Sequence, residues 1–570
     1  MNSVKKIVFL ILILLPFLST AQNSKSYIQG LKDENNWVDS VFKKLSRRDR
    51  IAQLFMVRAH TDKGKRFEDS VAKIIRKERI GGLVFFQGGP ARQAVLTNSY
   101  QKISKVPLLI ALDGEWGLGM RLDSTISFPY QMTLGAIEDN KLIYQMGKQV
   151  AADFKRLGMH VNFAPDADIN NNPKNPVIGF RSFGDNKYNV TDKSGEYMKG
   201  MQDNGILVSL KHFPGHGDTD TDSHFDLPQL PFSRERLDSL EMYPFRELIK
   251  QGASGVMVAH MNIPALDNTP NLPSTLSKPI VTGVLKNELG FKGLVFSDAM
   301  GMKGVVKFFP NGEADVRGII AGNDVLELSE NSERAVKLIR KAIKKKRITW
   351  KQINASVKKI LYAKYWVGLN NYQPVSTSNV VADLNTPAAK ALNQQLADAA
   401  VTISNSDSLL NNLDRNKRTA IIAFGSTTLS TFQKELTPGF NNVVNFIISK
   451  DATNADIQNV SREIKEFDQI IVGIHDNRKR PQSVLDYNSG VKMLIAEVSA
   501  MNTVASVFAS PYAIAGLPGI ELSKTLIMNY QQSDELQKAA AKVVLGTLKA
   551  SGKLPVSINA FFKYGDGIKQ

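Results

Sequence analysis

Seven histidines occur in 570 residues, and three of them fall at 212, 216 and 224. The run Lys211-His212-Phe213-Pro214-Gly215-His216-Gly217-Asp218-Thr219-Asp220-Thr221-Asp222-Ser223-His224 adds a lysine and three aspartates. That density of ionisable groups suits proton transfer, metal ligation or recognition of a polar ligand. Metal ligation fits poorly. Asp218, Asp220 and Asp222 imitate the opening of a calcium loop, but Ser223 stands where a turn glycine is required and Gln229 where the bidentate glutamate belongs. His212 and His216 have i,i+4 spacing, yet Pro214-Gly215 forbids the helix that would align them on zinc. No metal and no cofactor is expected.

Three other short segments place charge directly after apolar runs. They are Asp113-Gly114-Glu115-Trp116-Gly117 with Arg121 soon after, Gly179-Phe180-Arg181-Ser182-Phe183-Gly184, and Ser297-Asp298-Ala299-Met300. Each residue has a second reading: Asp298 as a helix cap, the basic and acidic groups as ion pairs bracing loops, Trp116 as loop packing. Asp, Arg, Lys and His gathered at several strand ends suit a polar, hydroxyl-rich ligand, and a sugar fits that description.

The elements that must position these residues are short and repetitive. Eight β-rich apolar runs (51–59, 82–86, 107–112, 160–165, 206–210, 255–259, 293–296 and 324–328) alternate with helical stretches such as 67–79, 141–157, 233–251 and 278–288. Near-continuous apolar strands alternating with helices imply a parallel sheet covered on both faces. Eight such units predict a (β/α)8 TIM-type barrel over residues 22–369, with the histidine-rich run following its fifth strand at the C-terminal face. Residues 370–386 read as a linker. Thr386-Pro387 then predicts a capped helix start, and five further apolar runs, 419–424, 443–448, 470–474, 504–509 and 525–529, predict a doubly wound α/β sandwich domain over 387–570.

Lys5 and Lys6, an apolar stretch from Ile7 to Leu18 and the small residues Ser19-Thr20-Ala21 predict a signal peptide at 1–21. Twelve apolar residues are too few to span a bilayer, which takes about 20. An exported, soluble product is therefore expected, periplasmic or secreted. The absence of cysteine excludes disulfides and thiol chemistry. The net charge of +18 is spread along the whole chain without a nucleic-acid motif, so it is read as surface charge and no nucleic-acid partner is expected. No oligomeric state follows from the sequence.

The run Lys211–Gly217 with Asp222-Ser223-His224 resembles the signature of bacterial β-N-acetylhexosaminidases of glycoside hydrolase family 3. The block 112–122, the Arg181 loop and Ser297-Asp298 fall in the family's order, and Ser510-Pro511-Tyr512 and Gly552–Val556 resemble its second domain. The resemblance implies retaining hydrolysis of terminal N-acetyl-β-hexosamine residues, with GlcNAc-containing glycans such as peptidoglycan fragments or chito-oligosaccharides as substrate. It makes Asp298 the nucleophile, His224 the general acid/base paired with Asp222, and Asp113, Arg121, Arg181, Lys211 and His212 the sugar-binding residues. Trp116 departs from the family's usual Glu-Gly-Gly run, which makes Arg121 the weakest transfer. His216 and Asp218 are expected to hold the loop. Three rivals stand beside this: a β-glucosidase or xylosidase of the same family, a β-N-acetylglucosaminide phosphorylase, and a glycan-binding protein without turnover.

Overall fold

The computed structural model describes residues 25–222, 225–406 and 408–570. The expected signal peptide and His224 lie outside the described residues.

Among the described residues, nine strands make up the first unit: β1 (Phe55–Ala59), β2 (Gly82–Phe85), β3 (Leu109–Leu112), β4 (Val161–Asn162), β5 (Leu207–Val208), β6 (Leu210–Phe213), β7 (Gly255–Val258), β8 (Leu294–Ser297) and β9 (Leu326–Glu327). Six of them form a parallel sheet in the order β5-β4-β3-β2-β1-β9, and β6-β7-β8 form a second parallel arc. The arcs meet where β5 runs through Ser209 into β6 and where Phe296 bridges to Val325, just before β9. Every residue of β2, β3, β7 and β8 is buried, which is why these strands read as unbroken apolar runs. The result is an α/β fold around a curled parallel sheet.

Each of the eight expected runs contributes a strand, with one informative difference. The fifth does not end at Leu210. It breaks at Ser209 and resumes as β6, which pairs Leu210 with Val256 and Phe213 with Val258 across an irregular register. Lys211, His212 and Phe213 therefore lie within a strand rather than in the loop after it, because Phe213 is buried edge-on against Phe245 at 5.4 Å. The helix expected over 233–251 is two helices, Arg234–Ser239 and Tyr243–Lys250. Leu240 leaves helical geometry between them, and Pro244 occupies the first turn of the second, where its missing N–H costs nothing.

The second unit adds β10 (Thr402–Ile403), β11 (Thr419–Phe424), β12 (Val443–Ile448), β13 (Gln469–His475), β14 (Thr503–Phe508) and β15 (Thr525–Met528) in the order β10-β15-β14-β13-β11-β12. The last five are parallel, as expected, and β10 pairs antiparallel with β15. Two residues carry too little pattern to announce β10.

The linker at 370–386 is anchored to the first unit. Asn98 holds Val375 through both its N–H and its carbonyl, and Arg156 pairs with Asp383 at 2.8 Å. Thr386 then caps the helix Pro387–Ala400, accepting from the Ala389 N–H at 3.2 Å. The units also touch directly: Tyr130 N–H donates to Gln531, Asn170 donates to the Tyr512 hydroxyl, and Lys553 N–H donates to the Ala136 carbonyl. Gly184 marks the tightest approach. Its φ is +139°, and a Cβ there would lie 2.1 Å from the Pro555 carbonyl oxygen.

Gly184→Ala should therefore lower the melting temperature by several degrees through strain and loss of docking. It should also speed proteolytic cleavage within 370–386, and an unchanged melt and cleavage rate would refute this account of the contact.

Candidate active site

The C-terminal ends of the first unit's strands converge on one cavity of about 360 Å³, in the range of roughly 300–1,000 Å³ usual for small-ligand sites. Asp113 follows β3, Lys211 and His212 belong to β6, Asp298 follows β8, and Arg181 and Asp222 arrive on long loops; all of them line it. This is the rim on which parallel α/β folds place ligands.

The floor is a network of buried charge. Lys211 Nζ lies 2.9 Å from Asp113 Oδ1 and 2.7 Å from Glu115 Oε1. Arg121 pairs with Asp113 at 2.6 Å, and Arg181 grips both oxygens of Glu115 at 2.7 and 3.0 Å. Burial alone would raise the two carboxyls, but Lys211 and Arg121 outweigh it at Asp113 and hold it well below the usual range. Arg181 and Lys211 do the same at Glu115, bringing it down to about 2. The turn that carries both acids is fixed from below. Asn162 accepts from Gly114 N–H at 2.9 Å and donates back to its carbonyl, which also accepts from the Tyr197 hydroxyl at 2.6 Å.

A second cluster sits under the histidine motif. Asp168 accepts from the backbone N–H groups of His212 and His216 and from His212 Nδ1 at 2.7 Å. A guanidinium only donates, so the 3.3 Å contact from Arg181 Nη2 requires a lone pair on His212 Nε2. His212 is thereby the neutral Nδ1–H tautomer, in keeping with a pKa brought down to about 4 by burial. Burial raises Asp168 to about 6. Asp166, Asp168 and His212 stand close enough to share an ion, but one edge of the trio is occupied by Arg181, 3.6 Å from Asp166. Cation binding there would oppose that charge.

His216 lines the cavity with its ring 5.9 Å from that of His212, Thr219 lies 2.7 Å from its Nδ1, and Asp218 pairs with Arg236 at 2.7 Å. Gly217 lets this loop lie against its neighbour, since a Cβ would meet the Ile169 carbonyl oxygen at 1.7 Å. Asp298 accepts from the Ala299 N–H through Oδ1. The next helix begins only at Lys303 with Met302 as its cap, so Asp298 does not serve that helix. Trp116 packs against Tyr130 at 4.7 Å and Phe180 at 5.9 Å while still lining the cavity.

Several participants escaped the sequence. Glu115, Asp166 and Asp168 follow strands as Asp113 does, and the pairs Asp113-Gly-Glu115 and Asp166-Ala-Asp168 were the available signal. Glu327, Arg58 and residues 481–483 of the second unit also line the cavity and had no local signature, whereas Arg480 belongs to the basic run after His475-Asp476, whose charge allows it either to reach the mouth or to form a solvated strand-end loop. The loop after β13 reaches the mouth, where Tyr130 donates to the Lys479 carbonyl at 3.1 Å. Arg480 of that loop is part of the cavity wall, while Arg478 is turned back onto Asp476 at 2.7 Å.

Against this geometry, the model of the glycosyl hydrolase family 3 N-terminal domain matches residues 46–363. Beta-hexosaminidase A of Pseudoalteromonas piscicida is 28% identical, across 86% of this chain and 91% of its own. Beta-N-acetylglucosaminidase/beta-glucosidase of Cellulomonas fimi is 26% identical, across 64% and 66%. Among solved structures, a glycoside hydrolase family 3 beta-N-acetylglucosaminidase from Paenibacillus sp. str. FPU-7 superposes with a TM-score of 0.76 at 30% identity, over 90% of this chain and 98% of that one. The chain belongs to glycosyl hydrolase family 3. It is a glycoside hydrolase, and a carbohydrate is its substrate.

Lys211→Met should cost about 3 kcal/mol at neutral pH, because it removes the cation shared by two buried carboxylates and leaves Asp113 with Arg121 alone and Glu115 with Arg181 alone. Asp113 and Glu115 are depressed in the fold, so their paired contribution is present above their ordinary pKa and lost as pH falls through the depressed values. The gap between wild type and variant in denaturant titrations should accordingly shrink from pH 7 to pH 3, and a gap independent of pH would refute the assignment.

Proposed function

We propose that this chain is an exported, exo-acting β-N-acetylglucosaminidase that removes single terminal residues with retention. The observation that carries it is the convergence of Asp298, Asp222 and the Asp113–Lys211 floor on one small cavity capped by the second unit. In this account the two arcs work as one (β/α)8 barrel, with an α/β sandwich domain beyond the linker. Asp298 attacks the anomeric carbon as the glycosidic C–O bond breaks. His224, oriented by Asp222, gives its proton to the departing oxygen. Water then attacks the glycosyl ester, His224 takes the water's proton, and the Asp298 carboxylate is released. An imidazole titrates near neutral pH and so can fill both roles. Asp113, Arg121, Arg181, Lys211 and His212 hold the sugar: the carboxylate accepts from hydroxyls, the cations donate, and His212, its Nε2 taken by Arg181, walls the pocket beside them.

The leaving group is proposed to be anionic, as in peptidoglycan fragments bearing a lactyl carboxylate. Arg58, Lys174 and Arg480 line the mouth, and no ion pair joins them to any carboxylate among the described residues. The same cations favour a second reading, phosphate as acceptor in place of water. The name of the Cellulomonas relative carries two sugars, which keeps glucose as the alternative glycone.

Aryl β-N-acetylglucosaminide and aryl β-glucoside should be compared, with and without phosphate. Preference for the acetamido sugar, with phosphate leaving the rate and product unchanged, is expected; a sugar phosphate as product would establish the phosphorylase. Asp298→Ala should lower kcat at least 10³-fold with the melt unchanged, and near-normal turnover would remove the nucleophile assignment. Arg480→Ala should raise KM several-fold for a carboxylate-bearing disaccharide while sparing the aryl glycoside, and equal effects on both would refute an anionic leaving group.

A further inference from the structure

The first unit's sheet ends on a carboxylic acid that no element of the mechanism above uses. Glu327 is the last residue of β9 and stands opposite Met56 of β1. Its backbone is locked between neighbours: its N–H donates to Ser297 Oγ at 3.0 Å, and its carbonyl accepts from Met300 N–H at 2.9 Å. Strand alternation sends Leu326 and Glu327 to opposite faces, and Glu327 lines the cavity. The residue is only 4% exposed, and its Oε1 is buried with no hydrogen-bond partner among the described residues. It makes no ion pair among them either, since the one nearby cation that attracts it, Lys211, is committed to Asp113 and Glu115.

A buried carboxyl without a partner costs the fold free energy, and an apolar side chain would fit that place better unless a ligand completes it. Burial, then the negative charges of Asp113 and Asp298, push its pKa well above the usual carboxylate range. With no donor on its buried Oε1 and no cation paired to it, the place favours the uncharged form of the group, which has one O–H to donate. Asp113, held ionised by its cations, can only accept. One carboxyl gripped by cations and one without a cation thus face the same small cavity.

We propose that Glu327 is a further specificity-determining residue, whose carboxyl donates a hydrogen bond to a hydroxyl oxygen of the terminal sugar beside the hydroxyl that Asp113 accepts from. Asp113 and Glu327 together read donors and acceptors along one edge of the ring, which a pair of ionised carboxylates would not do. The proposal rests on the glycosidase reading for its ligand and not on the identity of the nucleophile or of the general acid.

The test uses the full chain, Glu327→Leu and Glu327→Gln, with N-acetylglucosamine and its 3-, 4- and 6-deoxy analogues. Dissociation constants come from calorimetry, and kcat/KM from the matching aryl glycosides. Glu327→Leu should lose on the order of 10- to 100-fold in kcat/KM and weaken sugar binding, while its melting temperature is unchanged or higher. Glu327→Gln keeps a donor of similar shape and should stay within about threefold of wild type on both readouts. One deoxy analogue should lose its penalty in the Leu variant while the other two keep theirs. A Leu variant equal to wild type, or deoxy penalties that are all retained in it, would overturn the proposal. Wild-type sugar binding without turnover would sink the catalytic reading and leave this one standing, whereas no sugar binding by wild type would overturn both.

Discussion

Lys211 is the constraint around which the site is arranged. Its ammonium is buried between two carboxylates that share it, and each buried ion costs several kcal/mol unless its partners stand at hydrogen-bonding distance. Meeting that condition requires β3 and β6 to be placed to within a few tenths of an ångström. Asn162 and Tyr197 clamp the Gly114 turn for this purpose, and the packing of Phe213 against Phe245 holds β6 in place. Arg121 and Arg181 extend the compensation outward, so the floor is rigid and polar before any ligand arrives. A sugar that enters meets fixed dipoles and does not have to organise them.

The second layer under the motif follows the same logic with a different outcome. Asp168 accepts two backbone N–H groups and the His212 ring, which ties the start of the motif loop to the segment after β4. The tautomer of His212 is decided by two partners on opposite sides, a carboxylate that must receive and a guanidinium that must give. The ring is thereby a fixed acceptor toward Arg181, and its proton is not available for transfer.

Much of this was legible in the residues themselves. The eight apolar runs announced the parallel strands because both faces of each are covered, and the density of charge around Lys211 announced the rim. What stayed hidden has a common cause. Glu115 and Asp168 matter through partners at positions 181, 211 and 212, which spacing along the chain does not reveal. β10 is two residues held in register by β15, and β6 persists through Phe213 because a phenylalanine 32 positions later, Phe245, receives it. The charge of the run ending at Arg480 was visible, but a solvated strand-end loop explained it as well, and only the fold brings that segment from one unit to the other. Local pattern records periodicity and capping well, as Thr386 illustrates, and it is silent on contacts made by folding.

The origin of the cavity wall in two structural units has a consequence for mutability. The charged residues of the floor lie in strands, at strand ends and on loops where one substitution unbalances several paired charges. Arg480 is exposed on a loop of the other unit, and changes at such positions usually move stability by no more than about 0.5 kcal/mol. Under the proposed function, the mouth can thus be altered at little cost in stability, whereas the floor can be altered only by replacing several paired charges together.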